Sequence, residues 1–155
     1  MVHAEETKPY LKYVDQITKE FEHEIVDEFD LVGIGSGGKM PHDVQEISVS
    51  FIAYRRATIE QARVLEVTAI EKLLKKINEN EKIRPFLREH PFKADRVDVS
   101  IAFCKDDNSR YDDGSVAHVF QSRNRLMYTA QERATAKRVL LLEEPYEEAL
   151  RLIKK

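Results

Sequence analysis

Residues 46–53 read Glu46-Ile47-Ser48-Val49-Ser50-Phe51-Ile52-Ala53, and their alternation decides the class of the fold. Ile47, Val49, Phe51 and Ala53 point one way, and Glu46, Ser48 and Ser50 the other, which is the period of a strand with one face on a core. Its end, at Ile52 and Tyr54, is apolar on both faces. Residues 97–103 repeat the pattern, with Val97, Val99, Ile101 and Phe103 alternating with Asp98, Ser100 and Ala102. Two half-buried strands need something to bury against. The sequence between them supplies it: Thr58 and Gln61 form a capping-box pattern, and Ala62, Leu65, Ala69, Leu73 and Ile77 carry a helix stripe as far as Asn78 and Asn80.

Working outward, Tyr10, Val14, Ile17, Phe21 and Ile25 recur at spacings of three and four, and predict a long amphipathic helix over Thr7 to Phe29, with Thr7 and Pro9 at its start. Leu31 to Gly35 reads as a short strand running into a glycine-rich loop, which Pro41, His42 and Asp43 continue. Pro85 and Pro91 around Phe86 and Leu87 suggest a helical turn pinned onto the core. Asp106 to Gly114 has the composition of a reversal. Val116 to Gln121 and Arg125 to Thr129 then form a hairpin around Ser122 to Asn124, and Val139 to Leu142 is a further strand. Pro145, Tyr146, Ala149, Leu150 and Ile153 give a short closing helix. No repeated helix-strand alternation is present, so the expected fold is α+β: an antiparallel sheet of about four to six strands covered by helices on one face. At 155 residues, the chain 1–155 is read as a single domain.

The net charge of -3 sets up no field that would draw the protein to nucleic acid or to an anionic membrane, so neither is expected as a partner. Cys104 is the one cysteine, which excludes an internal disulfide and fits a cytoplasmic location. No apolar run is long enough for a bilayer. Met1 to Thr7 is acidic and lacks an apolar stretch, so as it stands it is not a signal peptide.

Gly33-Ile34-Gly35-Ser36-Gly37-Gly38-Lys39-Met40 is the most suggestive segment. Gly33, Gly35 and Gly38 have the spacing of a dinucleotide fingerprint, but no helix follows to receive the pyrophosphate. Gly33, Gly38 and Lys39 match a Walker loop, yet Met40 stands where Ser or Thr must hold magnesium, and Val139 to Leu142 with Glu143 and Glu144 only mimics its acidic companion strand. Ile34 spoils a serine-hydrolase elbow at Ser36. What survives is a nest of backbone N–H groups around Gly35, Ser36, Gly37 and Gly38, with Lys39 and His42 beside it, that could receive a phosphate or carboxylate.

The histidines His3, His23, His42, His90 and His118 show no metal-ligand spacing, and Tyr111 occupies the glycine position of a calcium loop begun at Asp106. No metal and no cofactor is expected. His42 and Asp43 are sequence neighbours, a poor arrangement for an acid-base pair. Arg123 and Arg125, at a hairpin turn near Phe120 and Tyr128, could grip an acidic partner; Arg133, Lys137 and Arg138 extend the positive charge. Arg123 and Arg125 could equally pair with the acidic first helix of the same molecule or of a second copy, which carries Asp15, Glu20, Glu22, Glu24, Asp27, Glu28 and Asp30.

Gly35 to Met40, Ile83-Arg84-Pro85-Phe86-Leu87, Pro91-Phe92 and Tyr146 to Leu150 together resemble a family of small uncharacterised bacterial proteins. The resemblance spans most of the chain. It implies a bacterial origin and relatives with an export signal, but brings no assigned activity and therefore no functional residue.

The sequence thus favours a non-catalytic module that binds a protein or a small anionic ligand, using the polar sheet face and the segment Gly35 to Asp43 with Arg123 and Arg125. One alternative is a structural homodimer formed through the first helix or a sheet edge. The other is a phosphate- or nucleotide-binding protein or enzyme acting at Gly33 to Asp43.

Overall fold

The computed structural model describes residues 9–154, so the acidic start and Thr7 lie outside the described residues. The first helix, α1 (Tyr10–Phe29), buries Tyr10, Val14, Ile17, Phe21 and Ile25, the stripe its spacing predicts. It stops where Asp30 turns left-handed at φ 54° and its N–H donates to the Val26 carbonyl. β1 (Val32–Lys39) and β2 (Glu46–Ala53) follow as an antiparallel pair. α2 (Ile59–Glu79) opens on the expected capping box: Thr58 Oγ1 accepts the Gln61 N–H at 3.1 Å and Gln61 Oε1 accepts the Thr58 N–H at 3.0 Å. A 3-10 turn at Arg84–Phe86 is tied to the loop before β2, since Val44 N–H donates to Phe86 O and Arg88 N–H to Val44 O.

β3 (Val97–Phe103), β4 (His118–Ser122), β5 (Arg125–Gln131), β6 (Arg138–Pro145) and α3 (Tyr146–Ile153) complete the α+β fold. The six strands lie in the order β1-β2-β3-β4-β5-β6. Every pair is antiparallel except β2 and β3, which run parallel across the α2 crossover with Ile47 beside Val97 and Ala53 beside Phe103. That parallel pair departs from the wholly antiparallel expectation, and the reason is physical. Parallel strands usually read as continuous apolar runs because helices cover both faces. Here the helices cover one face, so β2 and β3 keep Ser48, Ser50, Asp98 and Ser100 on the other and look antiparallel in sequence.

The covered face holds the core: Ile47, Val49, Phe51, Val99, Ile101, Val119, Leu126 and Tyr128 are all fully buried against the helices. Phe21 of α1 meets Phe51 edge-on at 5.9 Å. Near β6 the core turns polar, where Arg63 of α2 grips Glu144 with two hydrogen bonds of 2.9 and 3.1 Å and Tyr128 Oη donates to the same carboxylate. The hairpin between β4 and β5 turns on Arg123 and Asn124, both at positive φ (51° and 64°), which gives the twist that suits paired strands.

Candidate functional site

The open sheet face is uncovered by helices, and its floor changes character from one edge to the other. On β1 and its neighbours the open face is nearly without side chains: Gly37 lies beside Ser48, which lies beside Asp98, and Gly35 lies beside Ser50, which lies beside Ser100. The two serine hydroxyls of the second row are hydrogen-bonded to each other at 3.1 Å. Burial pushes the Asp98 carboxyl above its usual range, against the pull of a backbone N–H at Gln121, and its Oδ1 is buried without a hydrogen-bond partner. At the start of β1 the face fills again, where exposed Val32 lies beside half-buried Ile52, and towards β6 it becomes fuller, with His118, Phe120 and Met127 half-buried and Leu140 exposed.

Gly33 to Lys39 is therefore an edge strand and not a loop. Strand pairing with β2 continues through Lys39 opposite Glu46, interrupted only by a bulge at Ile34, which is 56% exposed. In extended backbone successive N–H groups point in opposite directions, so the segment cannot converge them into the expected nest. One of its glycines is required by the fold: a Cβ on Gly38 would lie 2.1 Å from the Glu46 carbonyl oxygen, whereas one on Gly33 would meet only the flexible end of the Glu22 side chain, which can move aside.

The chain matches no known family, no curated protein and no solved structure.

The other expected residues fall apart in space. His42 is exposed, while the Asp43 carboxylate is held by Arg88 through contacts of 2.6 and 3.1 Å and kept below its usual range by that guanidinium, so the two do not form an acid-base pair. Arg123 sits exposed at the β4–β5 turn and Arg125 pairs with Glu143. Both lie at the Lys39 end of the sheet, but β2 and β3 stand between β1 and β4, and Arg125 on β5 is one strand further, four strand spacings or about 19 Å from β1. They do not share a pocket with the glycines. Nor do they meet the acidic helix, whose Glu24 and Glu28 pair with Lys76 and Lys72 of α2. Cys104 is buried and accepts a hydrogen bond from Arg110 Nη1 at 2.9 Å.

Sequence reasoning did not group two further features. On the helix side, a groove of about 440 Å³ is lined by Phe29, Val64, Leu65 and Phe103 beside Arg55 and Arg56. Both arginines are committed, Arg55 to the carbonyls of Phe29 and Asp30 and Arg56 to Asp113. The second feature is a small basic cavity at the far end of β4, β5 and β6, around His118 and Arg138. The only signal of it in the sequence is the place of His118 at the start of a strand.

Proposed function

We propose that the chain is a non-catalytic protein-binding module that receives an extended segment of its partner along β1, over the glycine and serine floor of the open sheet face. The observation that carries this reading is the pair Gly35 and Gly37. A glycine inside a strand costs about 0.5–1 kcal/mol relative to alanine. The fold itself asks for neither: a Cβ on Gly35 would meet nothing within 4 Å, and one on Gly37 would make only an ordinary 3.6 Å contact with Ser48 Oγ. An incoming backbone lying close across the strand accounts for both. Among the described residues β1 is also an edge strand of the sheet, the kind of edge that strand addition uses, with Lys39 at its end for an acidic side chain.

Selection of binders from a library of displayed extended peptides tests the reading, followed by affinity measurements on Gly35→Val and Gly37→Val proteins shown to be folded. The selected peptides should lose most of their affinity for both variants and should protect the amides of Gly33 to Lys39 from hydrogen exchange. Equal binding to the variants, or protection elsewhere alone, refutes it.

A second reading is self-association through β6, the opposite edge. Val139, Leu140 and Leu141 are 38%, 54% and 38% exposed in succession, an apolar edge of the kind that pairs with its copy about a twofold axis. Sedimentation decides it: a monomer at high concentration ends the reading, and a dimer abolished by Leu140→Lys supports it.

A further inference from the structure

The basic cavity on the open face encloses about 180 Å³ and is built from three separate parts of the chain. β4 starts at His118, β6 starts at Arg138 opposite Gln131 at the end of β5, and a bridge between Cys104 and Arg110 brings Arg110 in from the loop after β3. The His118 ring is held against Phe120, centroids 5.0 Å apart, and its Nδ1 is buried without a hydrogen-bond partner.

The two arginines are unspent. Arg110 uses Nη1 on Cys104 Sγ, and the Arg138 side chain forms no hydrogen bond or ion pair among the described residues. Nearby acids are engaged elsewhere: Asp112 with Arg133, and Glu132 with Thr135. Burial, with Arg138 and Arg110 adding positive charge, pulls the His118 imidazole down to about 4. The ring is neutral at pH 7 and carries one N–H; because Nδ1 is closed to solvent, the donor that could reach the cavity is Nε2–H.

Two guanidiniums and an imidazole N–H around so small a space leave a net positive charge with no carboxylate among the lining residues to offset it. Such a set matches a tetrahedral dianion better than a carboxylate, because a phosphoryl group brings both the charge of two and oxygen atoms for three donors. The volume, about six waters' share of liquid, admits one.

We propose that Arg110, His118 and Arg138 form a binding site for a phosphoryl group, carried by inorganic phosphate or by a small phosphate monoester. The site lies across the sheet from the glycine strand and stands independently of it.

Calorimetric titration at constant ionic strength tests this, with inorganic phosphate, glycerol phosphate and acetate as probes against the full chain and its Arg110→Gln and Arg138→Gln variants. Phosphate or its monoester should bind the unaltered protein and shift the His118 ring-nitrogen resonances, and each variant should weaken binding by roughly 10- to 100-fold. Tighter binding of glycerol phosphate would assign the monoester as the ligand, and tighter binding of inorganic phosphate the free ion. Failure of both to bind, equal binding by acetate, or affinities unchanged in both variants would overturn the proposal.

Discussion

Changing Glu66 to glutamine should stabilise the protein, and increasingly so as pH rises. Glu66 lies on the core face of α2, fully buried, and neither carboxylate oxygen has a hydrogen-bond partner. Burial first, and the negative charge of Asp98 second, push its carboxyl well above the ordinary range. In the unfolded chain the same group loses its proton near pH ~4.3. Between that value and its higher folded value, the native state binds one more proton than the unfolded state, so stability falls with rising pH. The loss is about 1.4 kcal/mol for each pH unit in the window, and it vanishes below the unfolded value. Glutamine keeps the shape without the titration. Thermal unfolding of both proteins from pH 5 to pH 8 should therefore show Tm values that diverge by roughly 3–6 °C per pH unit until the folded value is reached. Curves that stay parallel, or converge as pH rises, would refute the reasoning.

Replacing Arg63 with methionine should cost about 3–5 kcal/mol in urea unfolding, because Glu144, buried with Tyr128, would lose its cation; adding Glu144→Gln should recover much of it. Gly35→Ala should be neutral or stabilising by about 0.4–1 kcal/mol, whereas Gly38→Ala should destabilise by more than that, because its Cβ would meet the Glu46 carbonyl; chemical denaturation of the pair reads the difference. Acid should destabilise the protein as His118, held neutral to about pH 4 in the fold, binds its proton at the ordinary value when unfolded; His118→Gln should lessen the stability lost between pH ~6.5 and that point. Thr58→Ala should lower stability by roughly 1 kcal/mol through loss of the α2 cap, again by denaturant titration.

The elements most legible in sequence were those whose periodicity reports burial on one side. The stripes of α1 and α2 and the alternation of β2 and β3 each record a core face, and Thr58 with Gln61 marks a helix start by its own hydrogen bonds. β1 was half legible. Glycine adds no side chain to either face, so Gly33 to Lys39 carries no period, and the strand beyond Gly35 read as loop. β6 was shortened for a related reason: as an edge strand it is exposed along most of its length, and Glu143 and Glu144 did not look like strand residues. Yet Glu144 is buried because Arg63, far off in the chain, turns to meet it.

The basic cavity shows the limit of such reading most clearly. Arg110, His118 and Arg138 are separated in the chain and carry no common spacing; the sheet brings them together because β4 and β6 both begin, and β5 ends, at one end of it. Alternation can place His118 on the open face, but it cannot say that Arg138 stands two strands away on the same face. Nor could composition separate the arginines that are paired from those that are not. Arg125 and Arg133 find Glu143 and Asp112, while Arg138 finds no acid among the described residues. Positive charge late in the chain was visible from the start, but which part of it is free to meet a ligand depends on strand register. Arg123 and Arg125 are neighbours in sequence at a turn, whereas register brings Arg138, distant in sequence, into the cavity with His118 and Arg110.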